Sequence, residues 1–285
     1  MRIPRYWSRK SGVVETDDGE RETRSVWGWS VISQEDAAHK AAEMLSRTLD
    51  AARANRFDPD GYGYECNPPR EEIIEEFGDS QNPSAVITRN GYGSLVLNTA
   101  ELMFIDIDVP PEKISPVGFL SKLFGVKPQP TNADLTLDRI RNWSQQHRDM
   151  QIRIYRTLGG YRIAITNERI NPESDRSENI LSELGSDPLY RRLCQVQKSF
   201  RARLTPKYWR LQNCKSPPGR YPFESPGREQ NFRQWVDSYE QKSAGHATCR
   251  FVEQLGNSGV MCDGFDAIVK LHDVMSRADE DLPLA

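Results

Sequence analysis

Apolar and polar positions along this chain fall into short strand-like runs and longer amphipathic stretches. Leu102, Met103, Phe104, Ile105 and Ile107 form an apolar run without helical spacing, short enough to be a buried strand, and Asp106 and Asp108 close it. Further on, residues 152–157 and 161–166 read as two β-rich runs separated by Leu158-Gly159-Gly160, a tight hairpin whose glycines are free to take positive φ. Residues 85–89 and 92–98 flank Asn90-Gly91, a strong hairpin signal, and lead into the Asp106 strand. Three neighbouring antiparallel strands are therefore expected, with the acids at the end of the last.

The helical pattern is equally local. Ser33 followed by Asp36 resembles an N-terminal cap, and Ala37, Ala38, Ala41, Leu45 and Leu49 continue a helix to about residue 54. Pro68-Pro69 opens an expected helix over residues 70–77, with acids near its start where the dipole favours them. Residues 135–147 place Leu137, Ile140 and Trp143 on or near one face. A polar loop and short helix cover 172–184, and Asp187-Pro188 starts a helix to about residue 204. A helix at 229–242, a strand at 248–252 and a helix at 265–277 follow. Residues 1–32 read as one or two irregular strands around a polar loop at 16–24, with Trp27 and Trp29 in the core. A turn is expected at 58–63, and an apolar helix or loop at 119–124 is placed to cover the acid-ended strand. The expected fold class is α+β, a central and mostly antiparallel sheet with helices packed on it. Its parts are an N-terminal segment 1–80, a sheet core 81–170 and a basic, mostly helical part 171–285 in the same globule.

Composition narrows the class. The 285 residues suffice for one large domain or two small ones, and 37% hydrophobic content with 9% aromatics describes a polar but foldable chain. No run approaches 18 apolar residues, and the first five residues lack the apolar core of a signal peptide, so neither a membrane span nor export is expected. Five cysteines, at 66, 194, 214, 249 and 262, form an odd set without a CxxC pair. They suit reduced thiols and a cytoplasmic location.

The net charge of −3 hides a strong segregation. Residues 191–220 carry nine Lys or Arg and no Asp or Glu, with Phe200, Tyr208 and Trp209 among them. Cations that neutralise a phosphate backbone beside aromatic stacking surface suit single-stranded nucleic acid. The alternative is a basic helix paired with acidic patches of the same fold, such as Glu71-Glu72 and Glu75-Glu76. The two acids of the strand raise a second chemistry. Positions i and i+2 leave a strand on one face, about 7 Å apart. Two such carboxylates repel and call for a cation between them, and a hard ion takes one or two carboxylates and leaves its other positions to water and phosphate. Mg²⁺ or Mn²⁺ is the expected cofactor, held by Asp106 and Asp108, unless the strand merely ends at the surface. Arg153, Arg156 and Arg162 around Gly159-Gly160 bring cations and bare amides to the same neighbourhood. His246, Cys249, Cys262 and His272 are zinc-capable types without a compact ligand pattern, and there is neither a Walker A sequence nor a GxSxG elbow.

Together these motifs resemble the archaeo-eukaryotic primase superfamily, especially its bifunctional primase-polymerase domains. That family has an hhhDhD strand that binds divalent metal and a strand pair reading approximately RTGxGGxHhhh. Phe104-Ile105-Asp106-Ile107-Asp108 is similar to the first motif. Residues 156–165, RTLGGYRIAI, are similar to the second, with Arg162 where histidine is usual. The similarity spans residues 101–167, and the family's third acidic motif has no clear counterpart. The resemblance implies a palm-like sheet and metal-dependent nucleotidyl or phosphoryl transfer on a nucleotide or nucleic acid. Asp106, Asp108 and Arg162 would be catalytic, Arg156, Gly159, Gly160 and Arg162 would hold phosphate, and Lys198, Arg201, Arg203, Lys207 and Arg210 would follow a nucleic-acid strand. Replacing histidine by arginine keeps the cation but removes a group that titrates near neutrality. One alternative is a non-catalytic nucleic-acid-binding or interaction protein on a degenerate primase-like fold. A second is a haloacid-dehalogenase-like phosphatase, in which Asp106, Asp108, Thr166 and Lys198 would serve on an alternating parallel sheet.

Overall fold

The structure, a computed structural model, describes residues 1–15, 19–54, 68–79, 82–112, 130–256 and 259–285. The expected turn at 58–63 and the expected cover at 119–124 lie outside these residues, as does Cys66. The fold is α+β, with mostly antiparallel sheets and, among the described residues, six helices packed against them. No helix among the described residues is long and apolar enough to cross a membrane.

The chain begins with a long hairpin, β1 (Tyr6–Glu15) and β2 (Arg21–Ser30), paired without a break from Tyr6↔Ser30 to Glu15↔Arg21. Helix α1 (Gln34–Arg53) starts at Ser33, whose hydroxyl accepts from Asp36 N at 3.1 Å, and lies directly on this hairpin. A Cβ on Gly28 would sit 2.3 Å from Ala37 O, so only glycine lets strand and helix approach so closely. An ion pair between Arg5 and Glu76 at 2.5 Å joins this module to the body.

The body contains two four-stranded sheets. One is ordered β3-β4-β5-β9 (Glu72–Gly78, Pro83–Arg89, Leu95–Thr99, Phe200–Arg203). The other is ordered β10-β7-β8-β6 (Cys249–Leu255, Ile152–Thr157, Gly160–Ile165, Met103–Asp108). Every named pairing is antiparallel. Around them lie α2 (Asn132–Gln146), α3 (Asp175–Glu183), α4 (Pro188–Gln197), α5 (Pro226–Ser243) and α6 (Phe265–Ser276). Both sheets contribute to one apolar core: Ile87, Leu97 and Phe200 pack with Met103, Phe104, Ile105, Ile154 and Ile163, together with Ile140 of α2 and Val269 of α6.

Several expectations need correction. The helix expected over 70–77 is instead the strand Glu72–Gly78, because Ile73, Phe77 and their neighbours gain more by pairing with β4, across a bulge between Ile73 and Glu75, than a short exposed helix offers. The helix from Asp187 stops at Lys198, which takes a left-handed conformation (φ 51°) and turns the chain into β9 instead of continuing to residue 204. The expected single sheet is divided, since β6 pairs with β8 and leaves the edge of β5 to β9. The divisions at 80 and 170 therefore run through shared sheets: β3 from the N-terminal part pairs with β4, while β9 and β10 from the C-terminal part complete both sheets. Gly159 and Gly160 are absent from the residues with positive φ. Gly160 is instead demanded by proximity, since a Cβ there would lie 1.9 Å from Ile107 O.

Where β6 faces β9 no ladder forms, and side chains close the joint. Tyr190 Oη lies 2.6 Å from Phe104 O and 3.1 Å from Arg201 O, and Ser186 Oγ donates to Asp106 O at 3.0 Å. The free carbonyls of the edge strand are thereby satisfied without a further strand pairing. We expect Tyr190→Phe to lower stability by about 1–3 kcal/mol by leaving the Phe104 carbonyl without its donor. A urea titration checks it, as a lower midpoint at unchanged slope.

Candidate functional site

Asp106 and Arg162 are direct cross-strand partners in the β6–β8 ladder. Arg162 is fully buried, and its guanidinium is satisfied on three sides. Nε and Nη2 donate to the two oxygens of Asp106 at 2.7 and 3.1 Å, while Nη1 donates to Arg203 O at 2.8 Å and lies 3.3 Å from His272 Nε2. With Arg162 aimed at Nε2, that nitrogen must accept, which places the imidazole proton on Nδ1. Nδ1 indeed meets Asp273 Oδ1 at 2.8 Å. Arg153 donates to Asp273 Oδ2 and to Tyr155 Oη, each at 2.8 Å. A hydrogen-bonded chain thus runs from Arg153 through Asp273, His272 and Arg162 to Asp106.

Burial pushes the Asp106 carboxyl up, but the charge and hydrogen bonds of Arg162, helped by Arg203 and His272, hold it below the usual carboxylate range. Its side chain remains 39% exposed on the other side. There it opens, with Asp108, onto a cleft of about 220 Å³ lined also by Thr157, Gly159, Tyr161, Asp187, Tyr190, Arg203, Lys207 and Arg210. Strand alternation puts both acids on this wall, and the segment from β9 to the short 3₁₀ turn Tyr208–Arg210 supplies the opposite one.

The cations of that wall have no acidic partner within ion-pair distance among the described residues. Arg203 Nε is buried without any hydrogen-bond acceptor. Burial, reinforced by the neighbouring charge of Arg162, brings the Arg203 guanidinium down to about 10, still charged at neutral pH. Burial and the charges of Arg203 and Arg210 likewise lower Lys207, and burial lowers Arg210. Three cations in one half-enclosed cleft, each lowered by burial, form a site that an anion relieves.

The other expected site residues separate from this group. Lys198 pairs with Glu173 at 2.9 Å, and Arg201 is held by Glu71 at 2.6 Å, so these two cations are neutralised inside the fold and do not extend the cleft. Arg156 donates to Gly160 O and covers the ring of Tyr161 at 4.9 Å, bracing the hairpin instead of facing the cleft. Gly159 lies on the cleft wall, and Gly160 serves strand approach. Arg162, expected to touch phosphate, points into the core. Tyr190, Asp187 and His272 were not expected here. Asp187 was legible only as a helix cap, which it is, accepting from Tyr190 N at 3.0 Å. His272 lies 110 residues from Arg162 with no local signal joining them.

The acids fit a magnesium-like ion incompletely. Both Asp106 oxygens already accept from Arg162, although each keeps a free lone pair, and no group of three or more His, Cys, Asp or Glu among the described residues could hold a metal. Two carboxylates with water and phosphate as further ligands remain compatible with such an ion. The zinc-capable residues do not converge into a set either: Cys249 Sγ is 3.9 Å from His272 Nε2 inside the core. The described cysteines, Cys194, Cys214, Cys249 and Cys262, are all free thiols. Comparison with protein-family models, curated proteins and solved structures gives no match for this chain.

The burial asymmetry of the pair sets an order of stability loss. Asp106→Ala strands a buried guanidinium and is expected to cost about 3–5 kcal/mol, whereas Arg162→Met leaves an acid that water reaches and costs less. The Asp106 contribution is fully present above its ordinary value of 3.8 and is lost as pH falls through its lower folded value. Urea midpoints measured at neutral pH and across the acid range should show this loss in the wild type and not in Asp106→Asn.

Proposed function

We propose that the cleft binds the phosphates of a nucleotide or nucleic acid and, with Mg²⁺ or Mn²⁺, carries out nucleotidyl or phosphoryl transfer of the primase-polymerase kind. The observation that carries this reading is the confrontation of Asp106 and Asp108 with the unpaired cations Arg203, Lys207 and Arg210 across one cleft. Phosphate oxygens would accept from the three cations, and stabilising charge that develops on those oxygens is most of the catalytic work such a transfer requires. Asp108, exposed and outside any ion pair among the described residues, with the open side of Asp106, would hold the metal. Bound there, the metal supplies Lewis-acid polarisation of a phosphoryl oxygen. Arg162 acts behind Asp106, fixing its orientation and keeping it ionised.

The engagement of both Asp106 oxygens by Arg162 favours a second reading, a phosphate-binding protein on the same cleft without catalysis. The alternating parallel sheet needed by a haloacid-dehalogenase-like phosphatase is not what the named strands form, and that alternative is not carried forward.

Because the acids alone are an incomplete metal site, metal and triphosphate should bind cooperatively. Mn²⁺ alone is expected to move the melting temperature little, and a nucleoside triphosphate with Mn²⁺ more than the sum of each. At about a hundredfold its Kd a ligand adds about 2.7 kcal/mol of stability. Lys207→Glu should remove the triphosphate shift, and Asp108→Asn only its metal-dependent part. A triphosphate shift that survives in Lys207→Glu sinks the cleft reading, while one indifferent to metal, without turnover, leaves the binding protein.

A further inference from the structure

The cleft does not end at its cations. The same 3₁₀ turn that sends Lys207 and Arg210 into it presents Trp209 on the other side, 49% exposed, with Lys207 Nζ 5.2 Å from its ring centroid. Tyr92, 44% exposed at the tip of the β4–β5 hairpin, meets Trp209 edge to face with centroids 5.2 Å apart. Beyond them a groove of about 260 Å³ runs between Tyr92, Tyr208, Pro217 and Pro218 to Arg220, and no carboxylate lines it. Arg220 has no ion pair among the described residues and leads on to a second hollow of about 250 Å³ with Phe223, Glu224 and Arg228.

These half-exposed rings are held in place by their neighbours. The Asn90 side chain accepts from Tyr92 N and Ser94 N at 2.9 and 3.1 Å, and Arg89 donates to Gly93 O at 2.9 Å. Gly93 takes φ +83° with the Trp235 ring where a Cβ would be, which pins the hairpin tip to α5. Tyr208 backs Trp209 at 4.9 Å and stands on Trp235, which stacks on Tyr239. The platform is rigid, aromatic and bordered by cations on both sides.

We propose that this surface is a base-stacking track for single-stranded nucleic acid, running from the phosphate cleft across Trp209 and Tyr92 to Arg220. The proposal rests on the phosphate-binding reading of the cleft and names the polymer that reading takes. Charge favours a polyanion over a peptide: Lys207, Arg210 and Arg220 flank the rings, whereas a proline-rich peptide would have no use for them. Stacking on an aromatic face is sequence-tolerant and discriminates unpaired bases from a duplex, whose bases are not available.

The test uses the full chain in EDTA, so that no metal-dependent step contributes, with a fluorescein-labelled oligothymidylate of about 12 nucleotides and an abasic strand of equal length. The oligothymidylate should bind in a salt-sensitive manner, and the abasic strand about tenfold or more weaker. Trp209→Ala and Tyr92→Ala should each weaken oligothymidylate binding about tenfold while leaving the abasic strand nearly unaffected. Equal affinity for the two strands, unchanged binding in both aromatic variants, or preferential capture of a proline-rich peptide would overturn the track. The triphosphate melting shift, measured in Trp209→Ala, separates the two readings: its retention with lost stacking discrimination supports the track on an intact cleft, and a wild-type shift insensitive to Lys207→Glu sinks the cleft reading alone.

Discussion

A single buried guanidinium holds this structure in register. Arg162 uses four of its five N–H groups on partners from three other elements, the Asp106 side chain of β6, the Arg203 carbonyl of β9 and His272 of α6. Transferring such a group out of water is costly unless every donor finds an acceptor, so each partner is constrained by the others. A slip of β6 against β8 by one residue would turn Asp106 away from Arg162 and expose the apolar face of the strand at once. The same guanidinium crosses the seam where the two sheets meet without a ladder, so it and Tyr190 replace backbone pairing in joining them. Buried ion pairs add little net stability compared with apolar packing, and the contribution of this one lies in choosing a single arrangement.

The cleft follows from how the remaining cations are partitioned. The basic stretch enters the fold through β9, and the partners it meets change along its length. Arg191, Lys198 and Arg201 find Glu178, Glu173 and Glu71, so the acidic patches legible near residue 71 do neutralise part of it. From Arg203 to Arg210 the chain passes beyond these acids and faces the carboxylates of the cleft. Among the nine cations of residues 191–220, Arg191, Lys198 and Arg201 pair internally while Arg203, Lys207 and Arg210 face the cleft, and the division falls between Arg201 and Arg203, two residues apart on one strand.

How much of this was legible depended on range. The apolar run ending in Asp106 and Asp108, the Leu158–Gly160 turn and the Asn90-Gly91 turn are local signals, and the strands and hairpins lie where those signals put them. Residues 70–77 misled because Ile73, Ile74 and Phe77 have helical spacing and the flanking acids suit a helix start; pairing with β4 outweighed that weak preference. Residues 200–203 alternate in burial as a strand does, but after a well-capped helix four residues are too few to show it. Register is the deeper obstacle. Both Arg156 and Arg162 were visible as cations near a turn, and only the pairing Asp106↔Arg162 determines that one of them enters the core while the other braces the hairpin.

Arginine at position 162 also changes what the site can do. A histidine there could both contact phosphate and exchange a proton near neutrality, whereas a buried guanidinium pushed far above its ordinary range by Asp106, against the burial that opposes its charge, stays protonated throughout. Proton transfer is therefore closed to it, and so is direct contact with a ligand, since its donors are committed inward. The cations that do face the cleft are Arg203, Lys207 and Arg210, none of which lies in either of the two short motifs. These three come from a different strand and turn, which Arg162 ties to the acids through the Arg203 carbonyl at 2.8 Å. The architecture accordingly separates an acidic wall, locked from behind, from a cationic wall of unpaired side chains, and electrostatic stabilisation of a phosphoryl group is the chemistry that the proposed function would draw from this division.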